Sequence, residues 1–201
     1  MRPAMIWLCL LILATGPVVL AASSPFLAYR GPEYIAGGFA GIIALSLMLI
    51  QPLLAAGALP GLSLARARLW HRRLGGALIA CTAVHVGGLY LTSPPDTLDA
   101  LLLAAPTPFS VYGVLAMWGI LLTGGLALLR RQIAPRIWRL AHNALALVVV
   151  AATVAHAVQI TGAMELRSKW TLCLAVLGAT GITLFRLRVL TPLRRRGASR
   201  G

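Results

Sequence analysis

Long apolar runs, separated by short polar or basic segments, dominate the hydropathy pattern of this chain. A helix that crosses a bilayer needs about 20 predominantly apolar residues. Six runs are close to that length or exceed it, and they cover residues 5–22, 35–56, 71–92, 109–129, 138–160 and 170–187. The pattern therefore predicts an all-α, polytopic membrane protein. We expect residues 1–201 to form a single domain built on a bundle of six transmembrane helices.

Two segments need a separate interpretation. The first run follows Arg2 and ends in small residues, as a cleavable signal peptide would, but its long apolar core favours a retained span. Between the third and fourth runs, prolines bracket an apolar piece that is too short to cross a bilayer. We expect this piece to be an interfacial loop or helix, with Asp96 and Asp99 facing water.

Composition and charge agree with a membrane protein. The chain is 59% hydrophobic and only 11% charged, with a mean hydropathy of +0.87, which excludes a soluble domain. Its net charge of +14 raises the question of nucleic acid binding. However, the arginines cluster at the ends of apolar runs, and no basic groove with interleaved aromatic residues is evident. We therefore expect membrane lipid and no nucleic acid among its partners.

The distribution of charge predicts the orientation of the bundle. Six spans place both termini on one side, and most basic residues fall on that side: Arg2, the clusters in 66–73 and 130–139, and Arg194, Arg195, Arg196 and Arg200. The other side holds Arg30, Arg167, Lys169 and all four acids, Glu33, Asp96, Asp99 and Glu165. Because cytoplasmic loops are enriched in basic residues, both termini are predicted to be cytoplasmic. We expect a multi-pass protein of the bacterial inner membrane.

The four histidines form two pairs with the same spacing, His71 with His85 and His142 with His156. A step of fourteen residues rotates by ~1400° on an α-helix, about 40° short of four turns, and climbs ~21 Å. Each pair therefore lies on nearly one helix face, at two depths. The third and fifth spans are predicted to be parallel. His71 then lies at the same depth as His142, and His85 at the same depth as His156. This arrangement suits two stacked haems, each iron held by two axial imidazoles.

Histidines in apolar helices can also have purely structural roles. A single histidine there is often a packed residue that hydrogen-bonds a carbonyl, and His71 could be an interfacial base among arginines. Ionisable groups within spans are nevertheless rare and usually functional, and here all four fall at matched intervals. Four histidines cannot converge on one zinc ion, because ~21 Å separates the two depths while each ligand must lie about 2 Å from the metal.

Residues near the inner pair are candidate supports for a haem. Arg72, Arg73 and Arg139 lie at the depth where inner haem propionates would emerge, and guanidinium suits carboxylate. Gly75 would let a flat porphyrin approach its helix. The enrichment of arginine at the cytoplasmic ends of membrane helices would also explain these arginines without a haem. Close packing of helices would likewise explain Gly75. The three cysteines lie singly within apolar runs, and we expect them to act as small hydrophobes.

These motifs resemble a known family. HRRLG…H on the third span and W-x-x-x-H…H on the fifth resemble the ferric reductase-like transmembrane domain. That superfamily includes ferric reductases, NADPH oxidases and the haem-binding membrane subunit of bacterial methionine sulfoxide reductase. The resemblance covers the six-span core and implies two b-type haems that carry electrons across the membrane. It rests on His71, Arg72, Arg73, Leu74, Gly75 and His85, and on Trp138, His142 and His156.

The chain also departs from that pattern. It has no G-x-G-x-x-G nucleotide loop and little sequence after the sixth span, so we expect no flavin or nicotinamide domain here. A separate donor is expected (a flavoprotein, free reduced flavin or quinol), with an extracytoplasmic protein or metal ion as acceptor. Whether the chain itself binds a flavin stays open.

The expected role is that of an electron-transfer subunit of an oxidoreductase, without catalytic acid–base or nucleophilic residues of its own. Two alternatives are a proton-relaying transporter and a cofactor-free assembly subunit. The first would need acids within the spans, and the second leaves the matched histidine intervals unexplained.

Overall fold

The computed structural model describes residues 3–190, and every regular element in this range is helical. Arg2 and the four arginines of the tail, which were predicted to lie on the cytoplasmic side, are outside the described residues. Seven α-helices follow one another along the chain. They are α1 (Pro3–Ala22), α2 (Pro32–Ala55), α3 (Leu64–Thr92), α4 (Pro94–Leu101), α5 (Pro108–Leu128), α6 (Pro135–Gln159) and α7 (Leu166–Phe185).

Six of the helices, all except α4, are long and apolar enough to cross a membrane. The predicted all-α bundle of six spans is therefore confirmed. The short helix α4 occupies the proline-bracketed segment between the third and fourth spans. It carries Asp96 and Asp99 on exposed positions, between the C-terminal end of α3 and the N-terminal end of α5.

Helix starts follow from local sequence. Helices α1, α2, α4, α5 and α6 begin at proline, whose missing N–H would lack a helical partner in the first turn anyway. Helices α3 and α7 begin instead at capping side chains. The Ser63 hydroxyl accepts a hydrogen bond from the Arg66 N–H at 3.4 Å, and the Glu165 carboxylate accepts one from the Ser168 N–H at 2.8 Å. The backbone donor of Ser168 also lowers the pKa of Glu165 from its usual value.

The start of α3 differs from the boundary expected at residue 71. The helix begins seven residues earlier, at Leu64, and its 29 residues correspond to ~43 Å against a hydrocarbon thickness of ~30 Å. An apolar run marks only the part of a helix that lies in hydrocarbon. Backbone hydrogen bonding continues through the arginine-rich turns as far as the cap at Ser63.

Two helix hairpins, α2–α3 and α5–α6, form the bundle, with α7 packed against α2 and α6, and α1 against α2 and α7. Within residues 3–190, α3 and α6 are not among the closely packed helix pairs. The space between them is where the histidine side chains lie. The core comprises Leu45, Met48, Leu49, Leu78, Ile120, Val149, Val150, Leu172, Cys173 and Val176.

Helices α2 and α3 touch at a glycine contact near the start of α2 and the end of α3. A Cβ on Gly88 would lie 2.6 Å from the carbonyl oxygen of Glu33 and 2.9 Å from the Cα of Gly37. The two backbones therefore touch there, and a side chain larger than hydrogen would separate them. This contact holds α2 close behind the part of α3 that carries His85.

Candidate functional site

The four imidazole rings meet in two couples across the space between α3 and α6. The ring centroids of His71 and His142 are 6.1 Å apart, and those of His85 and His156 are 6.3 Å apart. The ring planes are inclined at 72° and 79°, so neither couple is a face-to-face stack. We call His71/His142 the inner pair and His85/His156 the outer pair.

Helix geometry explains why both couples form. Fourteen residues separate the histidines on each helix, which corresponds to ~21 Å along the axis with little change of face. Once α3 and α6 run in the same direction at matching heights, the first histidines of the two helices meet, and so do the second. All four rings are half-buried.

In the outer pair both rings are hydrogen-bonded to the neighbouring helix of their own hairpin. His85 Nδ1 donates to the Gly37 carbonyl at 2.8 Å, and His156 Nδ1 donates to the Phe109 carbonyl at 2.7 Å. A carbonyl oxygen only accepts, so Nδ1 carries the hydrogen in each ring, and Nε2 of the neutral imidazole keeps its lone pair. Metal-binding histidines usually donate their other ring N–H in this way.

The inner pair is held differently. His71 Nδ1 lies 3.2 Å from the Gln51 backbone carbonyl and 2.6 Å from the side-chain amide of the same residue, whereas Nδ1 of His142 is buried without a hydrogen-bond partner among the described residues. The indole of Trp138 instead stacks on the His142 ring, with centroids 5.0 Å apart and planes 11° from parallel. Trp138 is itself oriented by a 3.1 Å hydrogen bond from Nε1 to the Leu126 carbonyl.

A cavity of about 610 Å³ adjoins the outer pair, which is within the usual size of a cofactor site. Helix α4 borders it on one side, and its polar lining includes Arg30, Asp96 and Asp99. The Thr153 hydroxyl also lines the cavity, and it is buried without a hydrogen-bond partner in the part of the chain that the structure describes. Such a hydroxyl is available to a bound ligand.

The distances within each couple suit a bis-imidazole metal site. An imidazole nitrogen binds a metal at about 2 Å, and its ring centre lies about 1 Å behind, so two opposed imidazoles have centroids about 6 Å apart. No group of three or more His, Cys, Asp or Glu side chains among residues 3–190 is placed to hold a metal ion. Each couple can therefore supply two ligands, which is the number that a bis-histidine haem iron takes from protein.

The predicted supporting residues lie around the inner pair. Arg72, Arg73 and Arg139 are exposed, and the Arg73 guanidinium lies 5.4 Å from the Trp70 ring centroid. A Cβ on Gly75 would meet the Gln51 amide nitrogen at 3.6 Å. This is an ordinary van der Waals distance, so the packing of Gln51 on α2 would also allow an alanine at position 75.

Sequence reasoning missed several residues that touch the rings. Gly41 and Gly113 lie under His85 and His156, and Gly37 and Phe109 supply the carbonyl acceptors. A repeat along the chain could have pointed to them. Phe109 follows Gly37 by 72 residues, and Gly113 follows Gly41 by 72. The second pair of histidines follows the first by 71 residues.

Comparison with known protein families finds a match over the middle of the chain. Residues 40–153 match the family model described as ferric reductase like transmembrane component. His71, His85 and His142 lie inside the matched segment, and His156 follows it by three residues. No curated protein and no solved structure matches the chain.

The match covers more than half of the chain, and the resemblance noted from the histidine motifs is confirmed. Domains of this kind act as membrane electron-transfer components, typically bind haem and generally work with a separate electron donor. With its six apolar helices, the chain is an integral, multi-pass membrane protein. It belongs to the ferric reductase-like transmembrane component family.

Proposed function

We propose that this chain is a di-haem b protein that passes electrons from a cytoplasmic or membrane donor to an extracytoplasmic acceptor. The observation that carries the proposal is the separation of 6.1 and 6.3 Å between the paired imidazole centroids. It suits two imidazoles on opposite sides of one iron. Edge-to-face packing of two rings gives similar separations, but packing alone does not require the same couple to recur at two depths of the same two helices.

Haem b, when bound, supplies a one-electron carrier whose iron has no open coordination position. His71 and His142 would hold the inner haem, and His85 and His156 the outer one. The hydrogen bonds from Nδ1 to backbone carbonyls keep three of these rings from rotating and direct the lone pair of Nε2 away from the helix behind. Bis-histidine ligation favours electron transfer over oxygen binding.

The depths of the two sites suit transfer across a bilayer. They lie ~21 Å apart along the helices, against a hydrocarbon thickness of ~30 Å, so one site lies near each membrane face. We propose that the arginine-rich end at the inner pair faces the cytoplasm, together with both termini. In a bacterial inner membrane, the negative interior then favours outward transfer of one electron by ~2.3 kcal/mol per 100 mV crossed.

Arg72, Arg73 and Arg139 are proposed to neutralise the inner haem propionates, because their side chains are exposed at that end and guanidinium pairs with carboxylate. Gly75 is proposed to keep the face of α3 beside His71 free of a side chain. The proposed partners are a separate donor (a flavoprotein, free reduced flavin or quinol) and an extracytoplasmic protein or metal ion as acceptor. We propose that the whole chain, residues 1–201, forms one domain.

The visible spectrum of the purified protein, produced with a full supply of haem, tests this function. We expect a reducible b-type spectrum and two haems per chain, because each histidine pair supplies a complete set of axial ligands. A colourless preparation would refute the proposal and would favour the proton-relaying or cofactor-free alternatives. One haem per chain would restrict the proposal to a single site.

A further inference from the structure

Two glycines, Gly41 on α2 and Gly113 on α5, lie directly beneath the rings of the outer pair. A Cβ on Gly41 would lie 2.9 Å from His85 Nδ1, and a Cβ on Gly113 would lie 2.7 Å from His156 Nδ1. Both distances are shorter than carbon and nitrogen can approach without a bond. The smallest side chain at either position must therefore displace the ring, starting at the nitrogen that donates the hydrogen bond.

Each glycine stands four residues after the carbonyl that accepts this hydrogen bond. His85 bonds to Gly37, four residues before Gly41, and His156 bonds to Phe109, four residues before Gly113. In an α-helix the carbonyl of residue i points along the axis towards residue i+4. In the outer pair, the ring that shares this carbonyl lies over residue i+4, so close that a Cβ there would come within 2.9 Å (Gly41) or 2.7 Å (Gly113) of the ring.

We infer that Gly41 and Gly113 are positioning residues for the outer pair, an inference that rests on the proposed haem-binding function. Their bare Cα atoms allow both Nδ1 atoms to reach a carbonyl, and this fixes the two rings with Nε2 unprotonated for a metal. The same carbonyl–glycine unit, carbonyl at i and glycine at i+4, is present once in each helix hairpin. His85 and His156, which would bind one haem, are therefore each held by the same kind of carbonyl–glycine unit.

The inner pair provides an internal comparison. His71 Nδ1 bonds to the Gln51 carbonyl, and the residue four positions later is Ala55, which carries a side chain. There the distance is 3.2 Å, compared with 2.8 and 2.7 Å in the outer pair. Among the bonds from ring Nδ1 to a backbone carbonyl, the two shortest are those that lie over a glycine.

Substitution of either glycine by alanine should change the outer site selectively. A displaced ring loses its hydrogen bond to the carbonyl, and a histidine without that bond is a less basic ligand that stabilises ferric iron less. We expect G41A and G113A either to raise the reduction potential of the haem proposed at the outer pair (the outer component of a redox titration) or to abolish its binding. The inner component, ~21 Å away, should keep its potential.

The chain supplies matched controls on the same two helices. A Cβ on Gly38 of α2 or on Gly125 of α5 would meet nothing within 4 Å. G38A and G125A therefore make the same chemical change without touching a histidine. All four variants of the full chain would be purified with haem and compared by haem content, redox titration and the low-spin EPR signal, which reports ring orientation.

The expected result is a change in one of two components in G41A and G113A, with G38A and G125A matching the unsubstituted protein. Unchanged titrations and EPR signals in G41A and G113A would overturn the inference, and so would equal changes in the controls. Loss of both components from G41A and G113A alike would contradict a role confined to the outer pair. If the unsubstituted chain binds no haem, the proposed function itself fails, which distinguishes the two failures.

Discussion

The outer and inner histidine pairs share one spacing along the chain but differ in how their rings are held. Both outer rings donate to carbonyls at 2.8 and 2.7 Å and adjoin a cavity of about 610 Å³. In the inner pair, His71 makes a longer bond of 3.2 Å, and His142 relies on a stacked indole while its Nδ1 has no partner among the described residues. Equal spacing therefore gives the two pairs equal positions but different ring environments.

The charges around the two pairs differ as well. Near the inner pair lie two arginine clusters, whereas the cavity of the outer pair is lined by the carboxylates of Asp96 and Asp99 against a single guanidinium, Arg30. Positive charge favours the reduced state of a nearby iron, because reduction adds an electron. Weaker ligand basicity acts in the same direction. For the two proposed haems, both effects predict the higher reduction potential at the inner pair.

The largest expected effect comes from removing a ligand. H85A and H71A should each lose one of the two proposed haems, H85A the outer and H71A the inner, because each substitution removes one of the two protein ligands of that haem. H156A and H142A should reproduce the losses seen in H85A and H71A, respectively. Haem content and reduced-minus-oxidised spectra measure this. If H85A and H156A lost different components, the pairing by depth would be wrong.

An intermediate effect concerns the potentials themselves. A redox titration of the full chain should resolve two components, and the one retained in H85A, the inner site, should have the higher potential. The physical reason is the combination of nearby arginines and weaker hydrogen bonding at the inner ligands. Retention of the lower-potential component in H85A would contradict this assignment.

The smallest expected effect concerns the stacked indole. W138L should shift the inner component alone, at most on the order of tens of millivolts, because aromatic stacking contributes roughly 0.5–1.5 kcal/mol and only part of it differs between redox states. W118L is the control for loss of an indole, since Trp118 is an exposed side chain of α5. Redox titration and the EPR line of the inner site measure the change. A shift of the outer component would show that Trp138 does not act through His142.

Much of the fold was predictable from the pattern of apolar runs. The six spans and the short helix between the third and fourth follow from run length and from prolines, since hydrocarbon requires about 20 apolar residues per crossing. The start of α3 was not predictable in this way. Its first turns are rich in arginine, and a helix capped at Ser63 continues outside hydrocarbon without any apolar pattern.

The candidate site was predictable only in part. The spacing of His71, His85, His142 and His156 indicated two depths and two couples, because helical rise and rotation depend on residue number alone. The partners of the rings could not be read from spacing. Gly41 and Gly113 looked like ordinary glycines of membrane helices until the packing of each hairpin placed them under imidazoles.

By itself, the sequence determined six membrane-length helices, one strongly basic end, and four imidazoles at two matched heights. Those properties depend on local composition and on the fixed period of the α-helix. The tertiary structure alone decided which carbonyl each ring reaches, where an indole replaces a hydrogen bond, and how far apart α3 and α6 stand. These depend on contacts between helices that are distant along the chain, and such contacts have no signature in the periodicity of any single segment.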